Sequence, residues 1–245
     1  MIFAAIADVH GNAAALDVVL LDIQKLGITD IVNLGDCLSG PLEAARTADR
    51  LMALGLPTVR GNHDRYLVET PSGLMGASDA HAHAQLSPHH LDWLRDLPQS
   101  QVYREDIFLC HAPPERDDLY WLEQVSAEGR VHLRPQEEIE AMAGDVTQSL
   151  ILCGHTHVPR MVALSDGRLV VNPGSVGCPA YDHDHPVSHK VEAGHCLASY
   201  AILERTGDGW QAHFRNVRYD NMAMSRMADT NGRPDWASAL SRGRV

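Results

Sequence analysis

Five short apolar runs in this chain each break off at a cluster of carboxylate, imidazole or amide residues. Ile2–Ala7 stops at Asp8 and His10, Asp30–Leu34 at Gly35 and Asp36, and Pro57–Arg60 at Gly61, Asn62 and His63. The run ending at Cys110 meets His111, and Leu150–Cys153 meets Gly154, His155 and His157. Unbroken apolar runs suit strands buried on both faces. Between the first two runs, Asn12 is placed to cap a helix carrying Leu16, Val19, Leu20, Ile23 and Leu26, with Gly27 as its stop. Pro41 suits the first turn of a second helix ending near Gly55. Strand, helix, strand, helix, strand implies right-handed parallel crossovers. In an open parallel or mixed sheet such strand ends share one edge, where ligands bind.

The residues expected at that edge are carboxylates, imidazoles and one amide oxygen, a donor set that suits manganese, iron or zinc. Asp8 and His10 are two apart, as are His155 and His157, so in an extended segment each pair points to one side. Seven ligands exceed one four-coordinate site and match two metals sharing a carboxylate, roughly 3.5–4 Å apart. Histidine is the compositional outlier, at 15 of 245 residues. Twenty basic against 32 acidic residues give a net charge of -12, which opposes attraction to nucleic acid or anionic lipid. A phosphate-bearing substrate then needs a local positive centre. The five cysteines are odd in number and widely spaced, and read as reduced thiols. No apolar run approaches the roughly 20 residues of a membrane helix, and Met1–Ala7 is too short for a signal peptide. A cytoplasmic protein is expected.

In this order the blocks Asp8-Val9-His10, Gly35-Asp36, Gly61-Asn62-His63-Asp64, His111 and Gly154-His155-Thr156-His157 resemble the calcineurin-like metallophosphoesterase superfamily, in its small single-domain bacterial and archaeal branch. The resemblance spans roughly residues 1–180. It implies that Asp8, His10 and His157 hold one metal, that Asn62, His111 and His155 hold the other, and that Asp36 bridges them. The cofactors implied are two divalent or trivalent ions of manganese, iron or zinc. His63 is left to face the substrate, as a catalytic group that stabilises developing charge or protonates the leaving oxygen. The implied chemistry is attack on phosphorus by a metal-bridging hydroxide. The protein-phosphatase branch continues its Gly-Asp block with a second aspartate that orients the catalytic histidine. Here the chain reads Asp36-Cys37-Leu38-Ser39-Gly40-Pro41, which leaves Asp64 as one stand-in.

The expected fold is an α/β/β/α sandwich of two mixed sheets flanked by helices over residues 1–220, followed by a polar tail 221–245 without a clear period. Gln101 onward reads as paired strands, and Thr70–Ser87 as a loop or irregular helix. The histidines between Tyr181 and His195 favour a solvated loop over a third metal site or a flap. Cys37, Cys110 and Cys153 favour packing over chemistry, and Arg60, Arg65 and Arg116 favour surface ion pairs. Asn172-Pro173-Gly174-Ser175 serves equally as a turn or a substrate contact. The expected function is a binuclear phosphoesterase acting on phosphomonoesters, phosphodiesters or nucleotide anhydrides, with a small phosphate ester or nucleotide as its partner. A dinucleoside polyphosphate hydrolase and a serine/threonine protein phosphatase are the nearest alternatives. A non-catalytic metal-binding scaffold or sensor is the alternative of another class, and His63 discriminates against it.

Overall fold

The computed structural model describes residues 1–245. Its first half runs β1 (Ile2–Ile6), α1 (Ala13–Lys25), β2 (Ile31–Asn33), α2 (Ala44–Leu54), α3 (Asn62–Glu69), α4 (Ala77–His83), α5 (Pro88–Asp96), β3 (Ser100–Tyr103) and β4 (Ile107–Cys110). There follow β5 (Glu123–Val125), β6 (Val131–Leu133), α6 (Gln136–Ala143), β7 (Leu150–Leu152), β8 (Arg160–Ala163) and β9 (Leu169–Asn172). The chain ends in β10 (Ala180–His183), β11 (His189–Glu192), β12 (Ala198–Thr206), β13 (Gly209–Val217), α7 (Asn221–Thr230) and α8 (Pro234–Arg242).

Two mixed sheets carry the architecture, in the orders β13-β12-β1-β2 and β3-β4-β7-β9-β8. The pairs β1/β2, β4/β7 and β7/β9 are parallel, and the outer strands join antiparallel. The period of two in each strand distributes its apolar side chains between two cores. Phe3, Ala5 and Ala7 of the first sheet meet Ile107, Leu109, Leu150 and Leu152 of the second in one buried layer. Ala4 and Ile6 face the other way, onto Leu16, Val19 and Ile23 of α1. Cys110, Ile151 and Cys153 face outward onto Ile139 of α6. Each fully buried aliphatic or aromatic side chain of this kind contributes about 1.5–3 kcal/mol. The result is the expected α/β/β/α order, with helices outside both sheets. No helix is long and apolar enough to cross a membrane.

Several segments differ from the sequence expectation. Pro57–Arg60 makes a single parallel bridge, Thr58 with Asn33, because the chain turns at Gly61 directly into α3. The helix expected from Pro41 begins at Ala44. Thr70–Ser87 holds a one-turn 3-10 helix at Ser72–Leu74 and then α4. The histidine-rich stretch forms the β10–β11 hairpin, with His189 and Val191 buried and Lys190 and Glu192 exposed. Residues beyond Asn221 form α7 and α8. Met224, Ala228, Trp236 and Leu240 pack with Leu42 and Cys178 as a fourth apolar cluster beside the open ends of the sheets.

Candidate metal centre

The C-terminal ends of β1, β2, β4 and β7 come together across the two sheets, and each delivers its polar block to one place. Asp8 and His10 follow β1, Asp36 follows β2, His111 follows β4, and His155 and His157 follow β7. Asn62 and His63 open α3, whose first turn starts at Gly61. Cross-links fix the loops: the Asp8 amide donates to Gly35 O at 3.0 Å, His10 N to Asp36 O at 3.0 Å, and Gly154 N to His111 O at 2.8 Å.

Five of the seven non-glycine residues with left-handed backbone are Asp8, His10, Asp36, His155 and His157. Each such conformation costs on the order of 1 kcal/mol, and this concentration marks a region shaped for something other than stability. Close approach adds a second constraint. A Cβ on Gly61 would overlap the Asp36 carboxylate and lie 2.5 Å from the Asp36 amide nitrogen.

The histidine tautomers follow from main-chain partners. Nδ1 of His10 donates to Ser39 O at 2.8 Å, that of His111 to Leu34 O at 2.7 Å, and that of His157 to Cys178 O at 2.7 Å. A carbonyl oxygen can only accept, so each ring carries its proton on Nδ1 and, when neutral, turns a bare Nε2 lone pair inward. Nε2 of His10 stands 3.1 Å from Nε2 of His157, which in turn lies 3.4 Å from Asp8 Oδ1. His111 Nε2 stands 3.2 Å from Asn62 Oδ1 and 3.3 Å from Asp36 Oδ2. Asp8 Oδ2 and His155 Nε2 are buried with no hydrogen-bond partner. Ring nitrogens this close together and orphaned buried polar atoms are costly unless a cation, metal or proton, lies among them. Two groups, Asp8 with His10 and His157, and Asp36 with His111 and His155, each bring their ligand atoms within 4.8 Å of one another. The donor set therefore fits a pair of metal ions. The histidines of the β10–β11 hairpin form no such group.

Electrostatics agree with the geometry. Burial pulls the imidazole pKa of His10 down to about 4 and that of His155 down to about 3, leaving both neutral and able to bind a cation. Burial also acts against charge on His111, but the Asp36 carboxylate outweighs it and lifts that ring to about 9. Without metal, a proton on His111 takes the place that a cation would hold beside Asp36.

The aspartate that would orient His63 is not Asp64. Asp64 is fully buried and accepts from the backbone: Asp36 N at 2.8 Å, Cys37 N at 2.9 Å and Gly61 N at 3.0 Å. It braces the Asp36 loop, and burial, aided by the Asp36 charge, raises its carboxyl to about 6. His63 instead places Nδ1 2.8 Å from Oδ1 of Asp79, a buried residue of α4, with Ser39 Oγ at 3.3 Å. Burial opposes charge on His63, yet Asp36 and Asp79 together hold its pKa above the ordinary histidine value. Asp79 escapes sequence reading because α4, Ala-Ser-Asp-Ala-His-Ala-His, has no large apolar residue to betray a helix.

The other candidates settle into supporting places. Asn172 Nδ2 donates to Gly154 O at 2.7 Å and Ser175 Oγ to Asp8 O at 2.8 Å, so that block braces the ligand loops from behind. Arg65 binds Asp117 through two bonds of 2.7 Å, Arg60 pairs with Glu69, and Arg116 with Asp118. Cys37, Cys110 and Cys153 are buried, and burial pushes their thiols up, away from reactivity. His90 is also buried, capping α5 and contacting Asp49 at 3.0 Å. His10, Asp36, Asn62, His63, His155 and His157 all open onto a cavity of about 660 Å³, with Asp8 and His111 behind them.

Residues 1–194 match the model of the calcineurin-like phosphoesterase superfamily domain. The chain belongs to this superfamily. Phosphoesterases of this kind use divalent metals, in keeping with the two ligand groups just described. An uncharacterized protein of Methanocaldococcus jannaschii is 26% identical over 95% of this chain and 94% of its own length. The crystal structure of a metallophosphoesterase from Sphaerobacter thermophilus superposes with a TM-score of 0.75 at 25% identity, covering 99% of this chain and 100% of that one. A hypothetical protein from Pyrococcus horikoshii OT3 shares the fold, with a TM-score of 0.77 at 20% identity over 99% of this chain and 98% of that one. Helices α7 and α8 lie beyond the segment that the superfamily model matches.

Proposed function

We propose that this chain is a binuclear metal-dependent phosphoesterase that hydrolyses small phosphomonoesters, phosphodiesters or nucleotide anhydrides. The observation that carries this is the inward convergence of the His10 and His157 Nε2 atoms, 3.1 Å apart, beside the buried, unpartnered Oδ2 of Asp8 and Nε2 of His155. Asp8, His10 and His157 would hold one ion and Asn62, His111 and His155 the other, with Asp36 as the ligand they would share. When bound, such a pair of manganese, iron or zinc ions lowers the pKa of water and offsets negative charge on a phosphoryl group.

The remaining chemistry belongs to the chain. Asp36 Oδ1 accepts the His63 amide at 2.9 Å, which ties the first turn of α3 to the centre. Asp79 holds Nδ1 of His63, so Nε2 is the ring position left for the substrate, where it gives a proton to the leaving oxygen. Leu34, Ser39 and Cys178 fix the ligand rings through their carbonyls, so the donors are oriented before any ion arrives. A net charge of -12 and a recessed cavity favour small esters over phosphoproteins.

The test is hydrolysis of a chromogenic phosphodiester and a chromogenic phosphomonoester by metal-stripped protein, with manganese, zinc or iron returned. Turnover restored by metal supports the proposal. Two bound ions per chain without turnover on these esters, on nucleotides or on a phosphopeptide would support a metal-binding scaffold instead.

A further inference from the structure

The cavity in front of the ligand groups, at about 660 Å³, is in the size range that holds a whole organic molecule. Among polar neighbours its lining carries four large rings, Tyr66 from α3, Tyr120, Tyr181 from β10 and Trp236 from α8, together with Leu119 and Val125. Three of these rings already touch the centre edge-on. Trp236 lies 5.9 Å from the His10 ring, Tyr120 lies 5.3 Å from His155, and Tyr181 lies 4.8 Å from His157. Tyr66 stands 5.5 Å from His63.

The charges on that wall are equally telling. Both arginines that reach the cavity are engaged. Arg233 clasps Asp235 at 3.0 and 2.6 Å and donates to Ser78 Oγ at 2.6 Å. Arg134 donates to the carbonyls of Trp121, Tyr120 and Glu123, each at 3.1 Å, and to Glu138 at 2.8 Å. The other carboxylates outside the ligand groups are Asp118, paired with Arg116 at 2.9 Å, and Asp182. A second phosphate on the substrate would find no free guanidinium, and Asp182 adds negative charge to the wall. A flat uncharged group would find four rings.

We propose that the site takes a substrate with a single phosphoryl group on a bulky, uncharged, flat organic group of nucleoside size. Trp236, on the helix beyond the matched superfamily domain, forms the part of the wall that selects it. The inference rests on the phosphoesterase function and narrows its substrate class against polyphosphates.

Calorimetric titration of the metal-loaded full chain at about pH 8, where ordinary imidazoles are uncharged, separates the two. Three probes suffice: inorganic phosphate, adenosine 5′-monophosphate and adenosine 3′,5′-bisphosphate. The monophosphate should bind at least tenfold tighter than phosphate, and the bisphosphate no tighter than the monophosphate. Trp236→Ala should reduce the monophosphate-to-phosphate affinity ratio at least threefold, and Trp236→Phe, which keeps a flat ring, should retain most of it. If Trp236→Ala does not fold, the three-probe comparison and Trp236→Phe decide alone. Equal affinity for phosphate and the monophosphate, or a bisphosphate tenfold tighter, overturns the proposed substrate class and leaves the phosphoesterase function standing. Failure of phosphate itself to bind the metal-loaded chain removes both.

Discussion

Replacing Asp79 by asparagine isolates the link between α4 and the proposed proton donor. The Asp79 side chain is 7% exposed and the His63 side chain 33%, with 2.8 Å between Oδ1 and Nδ1. A hydrogen bond to a charged group contributes about 1.5–3 kcal/mol, and the partial exposure of His63 places this one toward the lower end. At 1.36 kcal/mol per tenfold, Asp79→Asn should lower kcat by about 10- to 30-fold for an ester whose leaving alkoxide needs a proton. For a nitrophenyl ester, whose leaving oxygen needs none, kcat should change less than about threefold. The assay is steady-state turnover of one alkyl and one nitrophenyl phosphodiester, with metal content measured on the same samples. Equal losses on both esters at full metal occupancy would refute proton donation by His63 under Asp79 control. Loss of metal would instead place Asp79 among the supports of the centre.

Asp36→Asn should cut turnover by more than about a hundredfold, beyond the 10- to 100-fold typical of residues that only orient ligands, while circular dichroism stays native; full activity would remove Asp36 from its shared position. Gly61→Ala places a Cβ where the Asp36 carboxylate and amide stand, so it should destabilise the fold by about 1–3 kcal/mol and lower metal stoichiometry, read by urea unfolding and atomic emission. Asp22 is held below its ordinary value of 3.8, first by its hydrogen bond from Arg215 and also by that from Tyr200. Its stabilisation is therefore complete above that ordinary value and is lost as pH falls through the lowered one. Asp22→Asn should be about 1–2 kcal/mol less stable at neutral pH, and the gap to the parent should close as pH falls through the lowered carboxyl pKa; a constant gap would show that the carboxylate charge is irrelevant there.

The sequence was most readable where chemistry and burial coincide. Phe3–Ile6 and Leu150–Leu152 are buried on both faces, so they stand out as unbroken apolar runs. Their ends carry the ligand-type residues, and the sheets then bring those ends together. Where burial uses small or polar residues, the pattern fades. Helix α7 buries Met224, Ser225 and Ala228, and α8 buries Trp236, Ala239 and Leu240, with too few large apolar groups to mark a period. The β10–β11 hairpin alternates correctly, but of the two buried positions in β11 one is His189, hydrogen-bonded to Tyr120 at 3.0 Å, which reads as polar. Asp79 reaches His63, and Trp236 the cavity, only through tertiary packing, and local spacing carries no trace of that. The sequence leaves open what orients His63, with Asp64 only one stand-in, and helix geometry turns Asp64 back onto the backbone of Asp36 and Cys37.

The paired ligand groups are tested most directly by anomalous diffraction from crystals grown with manganese or zinc. Two peaks are expected, roughly 3.5–4 Å apart, one against Asp8, His10 and His157 and the other against Asn62, His111 and His155, with Asp36 between them. A single peak, or metal bound only at the histidines of the β10–β11 hairpin, would contradict the binuclear centre.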